Sequence, residues 1–493
     1  MQELLEALRR QARHFGPPLA KTAYQRGLAV TARDGSTRPI PVTATPVIID
    51  GDELARRVEL SGHLASAGFK MARAVLFGPD KELLLGALSP LERTIAEKTF
   101  AQSSPLVTTR VDYFIGASGK PYALELNATI PAMQGYSDIA ANTFLEVVGR
   151  HFGLSDRAIA SLQAQNGSNA LALYRALLEG HRQLRGGAPS RIALLCRRGD
   201  AQLAEQRYLC ERFRELGAEA DVVHPDELSG DDAVRAHGKT YDLIYRHLFV
   251  RRLEEPDLAG GPYVVEVFSH IPNPRAAILN PPASQVEVKT TFALLSQACS
   301  EPALAASAGL TPDELEAISS SVPWTRLFRR FAAVDPTGAR VDDLVERVAA
   351  EPDRFVLKRA WDYGGRAVFV GRTQGEASFD ERVRAAYGAP LSWKELCTRC
   401  ADDRTGGGFV VQEIVPTAPE SHLMCTETSQ TETELYVDFS AYASVGLERP
   451  PAWGGVCRGS PSHIVNIVGG GGVLPLITSE VARALLNAHR ARP

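Results

Sequence analysis

The segment TTRVDYFIGASGKPYALELNAT, residues 108–129, constrains this chain most. Two strand-like runs flank the glycines Gly116 and Gly119, so the segment reads as strand, turn, strand. Successive strand residues point to opposite faces. Glu125 and Asn127 therefore share one face, and Leu124 and Leu126 the other. A turn centred on Ala117 and Ser118 puts Asp112 opposite Ala123, on the face of Glu125. Two carboxylates and an amide oxygen then converge. Hard oxygen donors of this kind suit Mg2+, which keeps several waters and binds nucleotide phosphates as well. Taken alone, the hairpin fits a solvent-facing polar face better than a metal site.

Far downstream, FVLKRAWDYGGRAVFVG (355–371) reads as strand, glycine loop, strand, with Lys358 ahead of Gly364 and Gly365. Glycine lets backbone N–H groups approach phosphate oxygens, and the lysine adds a point charge beside them. FVVQEIVP (409–416) is a buried-strand pattern that presents Gln412 and Glu413 before Pro416, polar enough at its end to hold an adenine amino group and a ribose hydroxyl. CRGSPSHIVNIVGGGG (457–472) gathers Arg458, Asn466 and four glycines; arginine is a planar, multidentate phosphate donor, and the glycines could admit a substrate or phosphate against the backbone. Ser137 is a candidate N-cap for a helix whose N-terminus attracts a carboxylate. Each of these also has a plain reading: a hairpin turn, the end of a core strand, a flexible loop, a helix cap.

From Ser190 the pattern alternates strand and helix: RIALLC, AQLAEQRYLCERFRELG, AEADVVH, YDLIYRHLF. This is the mark of a small Rossmann-like α/β unit. Arg246, near the end of its last strand, could hold a substrate carboxylate, or be a surface arginine. A Pro-rich loop and a helix containing Lys289 follow.

A chain of 493 residues divides into two to four structural units. Its net charge of -4 gives no broad footprint for nucleic acid or membrane. No run is apolar enough to span a bilayer, no secretory h-region opens the chain, and the seven cysteines are odd in number and scattered. Those features predict a cytoplasmic protein with reduced thiols. Cys397 and Cys400 form a lone C-x-x-C with no second pair at metal-site spacing, which reads as chance.

Taken together, the segments resemble the ATP-grasp enzymes, which hold ATP between two α+β lobes. ELNATIPAMQGYS is similar to the Glu-x-Asn segment of D-alanine–D-alanine ligases, and RGSPSHIVNIVGGGG to the arginine, asparagine and glycine segment of linear ATP-grasp ligases. In linear members the metal segment comes last; here it comes first. The order resembles the circularly permuted group that includes the ligase domain of glutathionylspermidine synthetase.

The resemblance implies an α+β / α/β ATP-grasp fold, circularly permuted, with a Rossmann-like pre-grasp domain. Its units would be a lead-in at 1–107, a metal-binding part at 108–155, a helical linker at 156–187, the Rossmann-like domain at 188–285, a lysine lobe at 286–408, and hinge plus second lobe at 409–493. It implies ATP and Mg2+ as cofactors. Asp112, Glu125 and Asn127 would take the metal. Lys289, Lys358, Gly364, Gly365, Gln412, Glu413 and Val415 would take the nucleotide, and Lys358 and Arg458 would act in catalysis. Ser137, Arg246 and Asn466 would face the substrates, a small carboxylate and a small amine. The implied reaction is an ADP-forming ligation through an acylphosphate; a phosphotransferase or a non-catalytic ATP-binding module would use the same nucleotide residues. The permuted order further predicts the strands at 122–127 and 409–415 in one sheet. Residues 160–185 and 300–350 match no part of the family pattern, and no amidase domain is present.

Overall fold

The hairpin forms, as the edge of a seven-stranded sheet. A computed structural model describes residues 1–101, 104–254, 262–270, 273–282, 286–362, 365–467 and 470–491. In the larger sheet, Pro121–Asn127 pairs with Leu106–Ile115, which pairs with the long strand Gln430–Val445; Gly455–Ser460, Gly472–Leu474, Val42–Thr43 and Glu420–Cys425 follow in that order. Side chains directly opposite in an antiparallel ladder share a face. One face is apolar: Val111, Tyr113, Leu126 and Phe439 cluster with Leu64, Ala65 and Met71 of helix Gly51–Leu76. Asp50 caps that helix by accepting from the N–H groups of Asp52 and Glu53. The other face carries Glu125, Asp112, Asp438 and Arg458, aligned by the pairs Asp112–Glu125, Asp112–Ser440 and Asp438–Arg458.

One register differs from expectation. Asp112 lies opposite Glu125, not Ala123, because the ladder slips between Asp112 and Tyr113. The slip leaves Leu124 as an extra residue with no partner in the ladder, as a β-bulge does. Leu124 accordingly lines the charged side of the hairpin, while Leu126 stays in the core.

A second sheet is four-stranded and antiparallel: Thr325–Leu327, Phe409–Glu413, Phe355–Arg359, Val368–Val370. Phe355, Leu357, Phe409 and Val411 point into a core with Trp393 and Leu396. Val356, Lys358 and Gln412 alternate to the opposite face. Phe409–Glu413 therefore belongs to the lysine sheet, and the expectation that it shares a sheet with residues 122–127 is wrong. Its ladder partners are Phe355–Arg359 on one side and Thr325–Leu327 on the other, so neither edge is left for residues 122–127. The chain crosses to the larger sheet only between Glu413 and Glu420.

Residues from Ser190 onward fold into a four-stranded, all-parallel sheet in the order Ala277–Leu279, Leu243–His247, Ile192–Cys196, Ala220–Val223, with helix Leu203–Glu215 between the last two. Residues 156–185 are the helices Asp156–Asn166 and Asn169–Arg185. Residues 302–321 are two short helices, and Thr325–Leu327 supplies the edge of the lysine sheet.

Candidate active site

The charged face of the larger sheet and the lysine-bearing face of the smaller one enclose a cleft of about 960 Å³ including its open mouth. Lys358 projects into it from the strand Phe355–Arg359. Its Nζ donates to Gln412 Oε1 at 2.6 Å and to the Leu124 carbonyl at 3.3 Å. The second of these oxygens belongs to the bulged residue, so a slip in one sheet provides a contact that reaches the other. Burial pushes the Lys358 amine down to about 8; Glu125 opposes the shift and Lys289 adds to it. Lys289 opens helix Lys289–Ala298 and extends its Nζ to the Asp362 carbonyl (3.0 Å) and to Glu125 Oε2 (3.5 Å). Gln412 is buried between Lys358 and Thr325, whose Oγ1 accepts from its Nε2 at 3.0 Å. Glu413 accepts from Arg354, and Val415 is a buried part of the cleft wall.

The opposite wall sets three acids beside two arginines. Asp112 is 2% exposed and accepts from Arg110 at 2.7 and 3.0 Å and from Arg458 at 2.8 Å. Burial alone would raise its pKa, but the two guanidinium groups outweigh burial and hold the carboxyl well below the usual range. Asp438, also 2% exposed, accepts from Arg458 through both oxygens. Burial pushes its carboxyl up to about 6 against the pull of Arg458, and Asp112 adds to the rise. Glu125 is the open acid of the group, with a side chain 38% exposed.

Gly365 has φ +74°, and a Cβ there would stand 2.5 Å from Ile464 Cγ2. The backbone at this position thus meets Ile464 only because Gly365 has no side chain. Gly364 lies outside the described residues.

Several expected residues lie elsewhere. Ser137 is not a cap: the helix is Gln134–His151, and the Ser137 hydroxyl donates back to the Gln134 carbonyl at 2.8 Å and accepts from Asn169. Arg246 is 1% exposed and does not line the cleft. It donates to the carbonyls of Leu248, Thr129, Asn280 and Pro281, stitching the parallel sheet to the loop after the hairpin 106–127. Asn466 does not line the cleft; its carbonyl accepts from Gly471 N–H at 3.0 Å. Two of the four glycines serve packing: a Cβ on Gly471 would meet the Gly459 carbonyl at 2.7 Å, and one on Gly472 the Pro41 carbonyl at 2.8 Å. Asn127 lies opposite Arg110, donates to its carbonyl at 3.4 Å, and stays outside the cleft lining.

Three residues of the site escaped the sequence reading. Arg110 stands two positions before Asp112 on the same face, a spacing that marks it as that acid's partner. Asp438 is the one acid within LYVDFSAY, a part of the long strand Gln430–Val445 that the sequence reading passed over. Asp362, between Lys358 and the glycine loop, also lines the cleft.

The residues present fit a nucleotide. Val356, Val368, Val370 and Val415 supply an apolar wall, and Lys289, Lys358 and Arg458 supply cations. Among the described residues no group of three or more His, Cys, Asp or Glu side chains is arranged to hold a metal ion. Glu125 and Asp112 lie directly across the ladder from each other.

No protein-family model matches the chain, and no curated protein matches it. Among solved structures, the glutathione synthetase like-effector GSS30 from Globodera pallida, in its apo form, aligns over 97% of this chain and 97% of its own, with a TM-score of 0.58 and 12% sequence identity. No helix among the described residues is long and apolar enough to cross a membrane. That likeness shows the fold alone: a mixed α+β architecture shared with the glutathione synthetase like-effector.

Proposed function

We propose that this chain is an ATP-dependent ligase that activates a small carboxylate by phosphorylation and passes its acyl group to an amine, releasing ADP and phosphate. The observation that carries the proposal is the single cleft in which Lys289, Lys358 and the hinge strand of one sheet face Glu125, Asp112 and Arg458 of the other. The hinge residues Gln412 to Val415 and the valine wall would hold the base. Lys358 and Lys289 would bind the phosphates, and Lys358 gains most, because its charge is poorly solvated before a phosphate arrives. Arg458 would offset charge that develops at the reacting end. Glu125, with Asp112, would hold Mg2+, and bound Mg2+ supplies charge neutralisation for phosphoryl transfer. The Gly365 loop, closing on Ile464, would exclude water.

A circular permutation accounts for the order of these parts. The N-terminal strand Val42–Thr43 pairs in parallel with the C-terminal strand Gly472–Leu474 inside the larger sheet, as does Val47–Ile49 with Leu476–Thr478 in a sheet of their own. The two ends of the chain thus complete one lobe. The parallel sheet at 192–279 would be the Rossmann-like domain that carries substrate, and the expected setting is the cytoplasm. The test is mass spectrometry of products formed from a metabolite extract with ATP and Mg2+. An amide that appears together with ADP, and is lost in Glu125→Gln, is expected. A phosphorylated metabolite as the end product would make the protein a phosphotransferase, and ATP left unconsumed would remove the enzyme reading.

A further inference from the structure

We propose that Asp438 is a positioning residue that sets the orientation of Arg458 at the reacting end of the cleft; the proposal rests on the nucleotide-site reading above. Asp438 lies directly across the ladder from Arg458. Its Oδ1 accepts from the Arg458 backbone N–H at 3.2 Å and from Nε at 3.1 Å, and its Oδ2 accepts from Nη2. One carboxylate thus grips one edge of a planar guanidinium, the geometry that orients arginine best. Nη2 also donates to Asp112 at 2.8 Å. Nη1 makes no hydrogen bond among the described residues, although Arg458 lines the cleft. Asp438 therefore decides which edge of the guanidinium is left for a ligand.

It also decides how tightly Asp112 is held. Arg110 already donates twice to Asp112, and Arg458 divides Nη2 between Asp112 and Asp438. Two arginines and two aspartates balance in one buried patch. With Asp438 neutral, both guanidinium groups would close on Asp112 alone. Arg458 would leave the cleft, and the Asp112 oxygens would be less available to a cation.

Calorimetric titration separates this role from a structural one. AMP reaches the hinge end of the cleft, whereas a non-hydrolysable ATP analogue with Mg2+ also reaches the acid end. Asp438→Asn should leave AMP affinity within about twofold and weaken the Mg2+–analogue complex about tenfold or more, the scale of a hydrogen bond to a charged group. Arg458→Gln should weaken that complex similarly, and the charge-balanced double variant should be no worse than Arg458→Gln, because Asp438 acts through Arg458. If Asp438→Asn alone does not fold, the double variant against Arg458→Gln carries the test. Unchanged analogue binding in Asp438→Asn, equal loss of AMP binding, or additive losses in the double variant would each overturn the proposal while leaving the nucleotide site standing. A wild-type chain that binds neither nucleotide would overturn both.

Discussion

Lys358 stands where two local rules meet. Strand alternation turns it away from the core of Phe355 and Leu357, and the Leu124 bulge supplies a carbonyl to receive it. Replacing it with alanine should weaken binding of a non-hydrolysable ATP analogue by about 1.5–3 kcal/mol, the range for hydrogen bonds to charged groups. Lys358→Arg should not restore it, since a planar fork does not fill the place of a compact ammonium. Its lowered pKa also fixes a pH dependence. A bound phosphate raises the pKa of the amine, so binding takes up a proton once the free lysine has lost it. Affinity should be flat below about pH 8 and fall above it, by up to about tenfold per pH unit. The effect on stability has the opposite sign: the folded pKa is below the unfolded one, so this lysine costs stability below about pH 8 and the cost fades as pH rises toward the ordinary lysine range. Titrations at pH 7 and pH 9 check the binding arm; equal affinities would mean that Lys358 does not touch the phosphates.

Two elements hold the halves of the cleft in register. Glu287 accepts from the N–H groups of Ala128, Thr129 and Ile130, directly after the metal hairpin, and stands two residues before Lys289. Glu287→Ala would leave those donors without their acceptor and should cost about 1–3 kcal/mol, seen as a lower denaturant midpoint at unchanged slope. A loss well under that range would show that water replaces the carboxylate at no cost. In the glycine loop, Gly365→Ala meets both a positive φ and the Ile464 side chain. It should weaken analogue binding more than it weakens folding; unchanged binding would mean the loop does not close on the nucleotide. These elements also show how far sequence reaches. The hairpin, the lysine strand and the hinge strand were legible because alternation alone sorts their faces. The register was not, since a one-residue bulge leaves no mark in the alternation of Tyr122 to Asn127. Ser137 and Arg246 misled for different reasons: the Ser137 hydroxyl is satisfied within its own helix by the Gln134 carbonyl, whereas Arg246 is held by backbone carbonyls that distant segments bring.

The whole molecule answers why a metal-type hairpin precedes a phosphate-type loop in this chain. Strands from residues 42–43, 106–127 and 420–474 share one sheet, so proximity in the fold is independent of order in the sequence. Sheet membership of 409–413 was misread at this scale, because the hinge strand ends the lysine lobe before the chain crosses over. The central claim is that the cleft between the two sheets binds ATP with its phosphates toward the acids. A crystal structure of the full chain with Mg2+ and a non-hydrolysable ATP analogue tests it most directly. The account predicts the base against Gln412 to Val415, the phosphates between Lys289, Lys358 and Arg458, and a metal ion on Glu125. A nucleotide bound outside this cleft at saturating concentration, or one whose phosphates point away from Glu125, would contradict it.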